Sequence, residues 1–108
     1  MLLQVRHVRQ AGPLSYIVKY DAEVEVTPDD PRVVIDVLST IPDDADPMLV
    51  TEAADAIRRG AEGALHPRGS GATMRLRGLC IHDVDFAPRE FERHTAEELS
   101  RALEADSA

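Results

Sequence analysis

The sequence predicts an α+β fold: two layers, a sheet with two helices on one face, in the order β-β-β-α-β-α. Three observations carry it. The stretch Tyr16–Thr27 is rich in β-branched and aromatic residues and ends in strict alternation, with Ala22, Val24 and Val26 set against Glu23 and Glu25. A later stretch, 47–65, and a final one, about 88–105, instead repeat apolar residues at spacings of three and four. The chain has 108 residues, enough for one domain and one core, and shows no internal repeat or low-complexity linker. One domain spanning 1–108 is therefore expected.

Taken in order, Leu3, Val5 and His7 alternate loosely and give a short strand at about 3–9. Gln10 to Ser15 contains Gly12 and Pro13 and reads as a turn, so the first two strands form a hairpin. The second strand stops at Pro28-Asp29-Asp30-Pro31. The third, Val33–Leu38, lacks alternation over its first half, as a strand buried on both faces would. Asp46 is placed to cap a helix beginning at Pro47, because proline lacks the N–H that would be unpaired there. That helix carries Val50, Ala53, Ile57, Ala61 and Ala64 as a stripe of small volume. Gly60 and Gly63 lie inside it and each cost about 1 kcal/mol of helix propensity, tolerable where a close backbone approach is needed. Residues 66–71 form a loop. Ala72–Arg77 alternates as a strand with Met74 and Leu76 inward and Arg75 and Arg77 outward, Gly78 marks a turn or bulge, and one more short strand fits near 80–86. Pro88 opens the second helix, whose apolar face is Phe91, Thr95, Leu99 and Leu103, and the last three residues are expected to fray.

Composition bounds the chemistry. Hydrophobic residues make up 44% and charged residues 30%, an ordinary globular balance. There is no Trp, so the core must be mainly aliphatic. No apolar run approaches the ~20 residues that span a bilayer, and Gln4, Arg6 and His7 follow Met1 too soon for a secretory segment. A cytoplasmic protein without membrane contact is expected. The single Cys80, between Leu79 and Ile81, reads as a buried structural thiol, and no Cys/His cluster has zinc spacing. The net charge of −8 opposes general nucleic-acid binding, which depends on phosphate neutralisation. Charge is unevenly spread, however: 1–20 carry Arg6, Arg9 and Lys19 with no acid, whereas acids collect in 21–55 and 83–106. The basic residues are eleven Arg and one Lys, a ratio we assign to codon usage.

Three groups of polar residues invite a chemical reading. His82, Asp83 and Asp85 have the side chains of a general base or a metal site, but in a strand 83 and 85 point away from 82. The expected role is a turn in which an Asp85 oxygen accepts N–H groups at the start of the second helix. Arg75 and Arg77 share one face of their strand and are candidate RNA contacts; cross-strand pairing with Glu23 and Glu25 is the expected alternative. His7, His66 and His94 are scattered and call for no special role. No nucleophile arrangement follows from the sequence, so no catalytic residue, metal or cofactor is assigned.

Three blocks then stand in order: Arg9-Gln10-Ala11-Gly12 with the strand ending at Thr27-Pro28, Gly60-Ala61-Glu62-Gly63-Ala64-Leu65, and Ile81-His82-Asp83-Val84-Asp85-Phe86-Ala87. Together they resemble the signature blocks of domain IV of elongation factor G, over about Val5 to Leu103. The resemblance implies the ribosomal protein S5 domain 2-like fold with its left-handed β-α-β crossover. It implies that the Gln10–Gly12 loop and the His82 turn lie near one tip, which in that family contacts the ribosomal decoding centre. Arg9, Gln10, Gly12, His82 and Asp83 become the tip-loop binding candidates, and Arg75 and Arg77 further RNA contacts. The chain departs from the pattern in a tip loop shortened to Gly12-Pro13-Leu14-Ser15 and in Phe86-Ala87 where the family has Ser-Ser. A P-loop is absent, so GTP binding by that route is not expected. The expectation is a stand-alone, non-catalytic module that contacts ribosome, rRNA or a translation factor. The alternative is a protein-interaction or assembly domain that kept the fold and lost the ribosome.

Overall fold

A computed structural model describes every residue except Ala11, Pro13, Leu14 and Ala108, together with the backbone but not the side chain of Ser107. Four strands form one mixed sheet in the spatial order β1 (Leu2–Arg9), β2 (Tyr16–Pro28), β5 (Ser70–Arg77), β3 (Val33–Val37). β1 and β2 pair antiparallel, as do β2 and β5, while β5 and β3 run parallel. Two short strands, β4 (Thr40–Ile41) and β6 (Leu79–Cys80), pair in parallel. Helices α1 (Pro47–Leu65) and α2 (Pro88–Ser107) complete the α+β fold. α2 thus continues through the backbone of Ser107. The sequence had not separated β4 from the acidic loop that follows it.

The register explains the core. Leu3, Ala22, Leu76 and Val37 lie side by side across the sheet, and Val24, Met74 and Ile35 form the next row. These side chains share a face because alternate residues of a strand do. α1 packs over β3 and β5, and α2 over β1 and β2. The core is aliphatic apart from Tyr20 and Phe91, which are fully buried. Each fully buried large apolar side chain contributes on the order of 2 kcal/mol relative to exposure. Asp46 caps α1 as expected, its Oδ1 accepting the Met48 N–H at 2.9 Å.

Among the described residues nothing covers the opposite face of the sheet, which corrects the reading of the third strand. β3 is an edge strand, Val34 is 52% exposed, and Val33, Ile35 and Val37 are only half-buried. Its unbroken apolar run therefore reflects β propensity rather than burial on both faces. The parallel ladder of β3 and β5 passes into that of β4 and β6 through an interruption at Ser39 and Gly78. Gly78 has φ +62° and donates its N–H to Ser39 Oγ at 2.8 Å. Gly60 does permit a close approach, but to α2 rather than to the sheet. A Cβ there would collide with the Glu92 carbonyl oxygen and meet Thr95 Cβ at 3.0 Å. Gly63 faces open space and serves no such contact.

Candidate functional site

β2 begins where β1 ends: Arg9 lies opposite Tyr16. The backbone then places a second segment at the same end. The Asp85 carbonyl accepts the Ile17 N–H at 3.3 Å, so the turn 82–85 lies beside the loop end of the hairpin. Arg9, Gln10 and Gly12 are exposed there, as are His82 and Asp83. Gly12 has φ +59°, and its carbonyl accepts both the N–H (3.3 Å) and the hydroxyl (2.9 Å) of Ser15. The rest of the expected turn and of the first block, Ala11, Pro13 and Leu14, lies outside the described residues.

The 82–85 turn is organised differently from expectation. His82 Nδ1 accepts the Asp85 N–H at 3.3 Å, with Asp85 Oδ2 at 3.5 Å from the same nitrogen. α2 starts on a backbone acceptor, the Ala87 carbonyl, which takes the N–H groups of Glu90 (2.9 Å) and Phe91 (3.3 Å). Asp85 is thus committed to its own turn rather than to a helix cap. Among the described residues no group of three His, Cys, Asp or Glu is arranged to hold a metal ion.

Arg75 and Arg77 stand elsewhere. Both lie on the open face of β5, opposite Glu23 and Asp21. Arg75 is seven residues farther along β2 than the Tyr16 end, roughly 23 Å at the usual rise of a strand. Its guanidinium approaches Glu25 at 3.8 Å, and Asp36 is its partner in register on β3. Asp21, opposite Arg77, already bonds Arg6. The face is an alternation of both signs, so the cross-strand pairing expected of Arg75 is present.

The sequence reading missed a third group. His7 and His94, taken as scattered, stack with ring centroids 3.8 Å apart and planes 13° from parallel. His94 is 5% exposed. Its Nε2 lies 3.0 Å from the Tyr16 hydroxyl, and Arg93 Nη2 donates to that hydroxyl at 3.2 Å. His7 Nε2 is 3.1 Å from Glu98, which also takes Arg101 at 2.8 Å. Glu90 Oε2 is 2.7 Å from Arg93 but out of line for a hydrogen bond. His94 Nδ1 has no hydrogen-bond partner, and Glu97 Oε2 is 3.7 Å away. Burial holds His94 below its ordinary value, with the cationic forms of His7 and Arg93 adding to the effect. At the next residue of α2, the Tyr20 hydroxyl meets Thr95 in the core, and burial pushes that hydroxyl far above its ordinary value. The signal was available: His7 follows Leu3 and Val5 on the inward side of β1, and His94 sits beside Thr95 on the buried face of α2. His66 stands apart, its Nε2 3.0 Å from the Pro31 carbonyl. Cys80 is half-buried rather than buried, beside Arg6, Lys19 and Asp21 on the open face.

The tip can present exposed polar side chains and a free ring edge, chemistry suited to contact. The His7–His94 group is packed between α2 and the hairpin, suited to fixing one against the other. No known protein-family model matches the chain, and no curated protein matches it.

Proposed function

We propose that this chain is a module resembling domain IV of elongation factor G, a non-catalytic cytoplasmic binding domain that contacts the ribosome, rRNA or a translation factor through its tip. The observation that supports the reading is the Asp85 carbonyl bond to the Ile17 amide. It sets the two segments that resemble the family's tip, near Gly12 and near His82, at one end of the domain. Arg9, Gln10, Gly12, His82 and Asp83 make the contact. Arg75 and Arg77 contribute less, because acids surround them. Co-sedimentation with ribosomes over a salt series tests the proposal. Association should be strongest at low salt and should weaken in Arg9→Glu, since phosphate contacts release counterions. No association at low salt overturns it.

The alternative, a protein-interaction domain, is favoured by the net charge of −8 and the mixed-sign open face of the sheet. Ribosome-free behaviour together with a defined protein ligand would select it.

A further inference from the structure

We infer that the outer edge of β3, with the groove beside the first turns of α1, docks an extended peptide segment that carries Lys or Arg around an aliphatic residue. The inference does not rest on ribosome contact at the tip, which involves different segments.

Three independent features converge there. The first is a free strand edge. The Arg32 carbonyl takes the Ala72 N–H at 3.0 Å, and the Leu38 N–H goes to the Leu76 carbonyl at 2.8 Å. Even-numbered residues of β3 therefore face β5, and the N–H and C=O groups of Val33, Ile35 and Val37 point outward. β3 is the last strand of the sheet and carries neither Lys nor Pro, the usual blunting devices of an edge.

The second is a groove of mixed polar and apolar lining at the C-terminal end of that edge. It has a volume of about 470 Å³ and is lined by Val37, Leu38, Thr40, Asp43, Pro47 and Val50. Within its lining Leu38 stands 45% exposed. An added strand would lay alternate side chains into the groove, the arrangement by which exposed sheet edges recognise extended peptides.

The third is charge, which selects the occupant. Residues 33–57 contain Asp36, Asp43, Asp44, Asp46, Glu52 and Asp55 and no Lys, Arg or His. Among the described residues no ion pair engages Asp43, Asp44 or Glu52. The cation nearest the start of the strand, Arg32, is held by Asp30 at 2.9 Å. A second copy of the chain would bring two acidic rims together, so a basic partner is the complement.

Panning a random display library of short peptides against the full chain at low salt, with affinities then measured by fluorescence anisotropy, tests this. The selected peptides should be enriched in Lys or Arg flanking Val, Ile or Leu. Their affinity should fall at least about tenfold in the double variant Asp43→Lys, Asp44→Lys, and should weaken as salt rises. Bound peptide should slow amide hydrogen exchange at Val33, Ile35 and Val37. Both substituted residues are exposed and lie in a loop, and a circular dichroism spectrum unchanged from wild type shows the variant is folded. An unfolded variant is replaced by Leu38→Glu, for which the same loss of binding is expected. Absence of binders, enrichment without basic residues, or protection at β1 instead of β3 overturns the inference. So does a dimer in light scattering that excludes the peptides, which would assign the edge to a second copy. Ribosome co-sedimentation reads the tip and leaves these outcomes untouched.

Discussion

Where α2 crosses β1 and β2, the helix is closed onto the sheet by a polar network: Tyr20 to Thr95, Tyr16 to His94, His7 to Glu98. Where α1 meets β3, no such bonds appear among the described residues, and half-buried Val, Leu and Ala side chains face an open groove. Both helices cover the same sheet face. The first seam spends its histidines and acids on internal partners, whereas the second leaves Asp43, Asp44 and Glu52 without an ion pair among the described residues. The difference teaches that one side of the layer is specified for fixity and the other retains unused hydrogen-bonding edge and unneutralised charge.

The largest test of that contrast is in the apolar contacts. Phe91, on the inner face of α2, is fully buried, so Phe91→Ala should destabilise by about 3–5 kcal/mol in urea unfolding. Val50→Ala, at the partly exposed α1 seam, should cost less than about 1.5 kcal/mol. Equal costs would mean that the two seams are packed alike and that the contrast fails.

Next in size is the buried hydroxyl pair. Tyr20→Phe leaves the Thr95 hydroxyl without its partner in the core and should cost about 1–3 kcal/mol. Adding Thr95→Val removes the orphaned group, and the double variant should be less destabilised than the sum of the single ones. Strict additivity would show that the two hydroxyls do not act as a pair.

These two seams also differ in how far the sequence revealed them. Helix α1 was legible to the residue, because Asp46-Pro47 marks its start and the small apolar stripe its extent. The alternation in β2 and β5 fixed which residues face the core. Long-range pairing was not legible: nothing local says that β3 lies at an edge, or that position 7 meets position 94. The helix spacing showed a stripe but not that Gly60 would face α2. At the tip, the residues were marked by resemblance, while their proximity depends on a single backbone bond between Ile17 and Asp85. The role of Asp85 was not legible because its backbone N–H, not its side-chain oxygen, closes the turn on the His82 ring.

The sealed seam should also carry a pH signature. In the unfolded chain His94 titrates near 6.5, and in the fold burial, with His7 and Arg93, holds it lower, while Glu97 and Glu90 oppose. The folded state thus binds fewer protons than the unfolded state as pH falls through this window. The stability tied to neutral His94 is fully present above about 6.5 and is lost as pH falls through the depressed folded value. Arg93 can only donate, so Nε2 holds the lone pair of the neutral ring and the second proton must enter there, against the Arg93 guanidinium. Urea midpoints measured from about pH 8 to about pH 5 should decline below about 6.5, and His94→Gln should flatten that part of the curve. A wild-type curve that is level between about pH 6.5 and about pH 5 would show that the buried ring is free to charge, and the seam would lose its polar distinction.

The smallest expected effect lies on the acidic side. Asp43 and Asp44 are exposed, without an ion-pair partner among the described residues, and close to the positive end of α1. Attraction to that helix end, about 0.3–1 kcal/mol at low salt, opposes repulsion from Asp46 and from each other. The double change Asp43→Asn, Asp44→Asn should therefore move stability by no more than about 0.5 kcal/mol in either direction. Thermal unfolding at low and high salt would measure it. A loss above about 1 kcal/mol would show that these carboxylates hold the loop and the helix start in place. They would then belong to the fold in the same sense as the histidines of the other seam, and would no longer be free to select a basic partner.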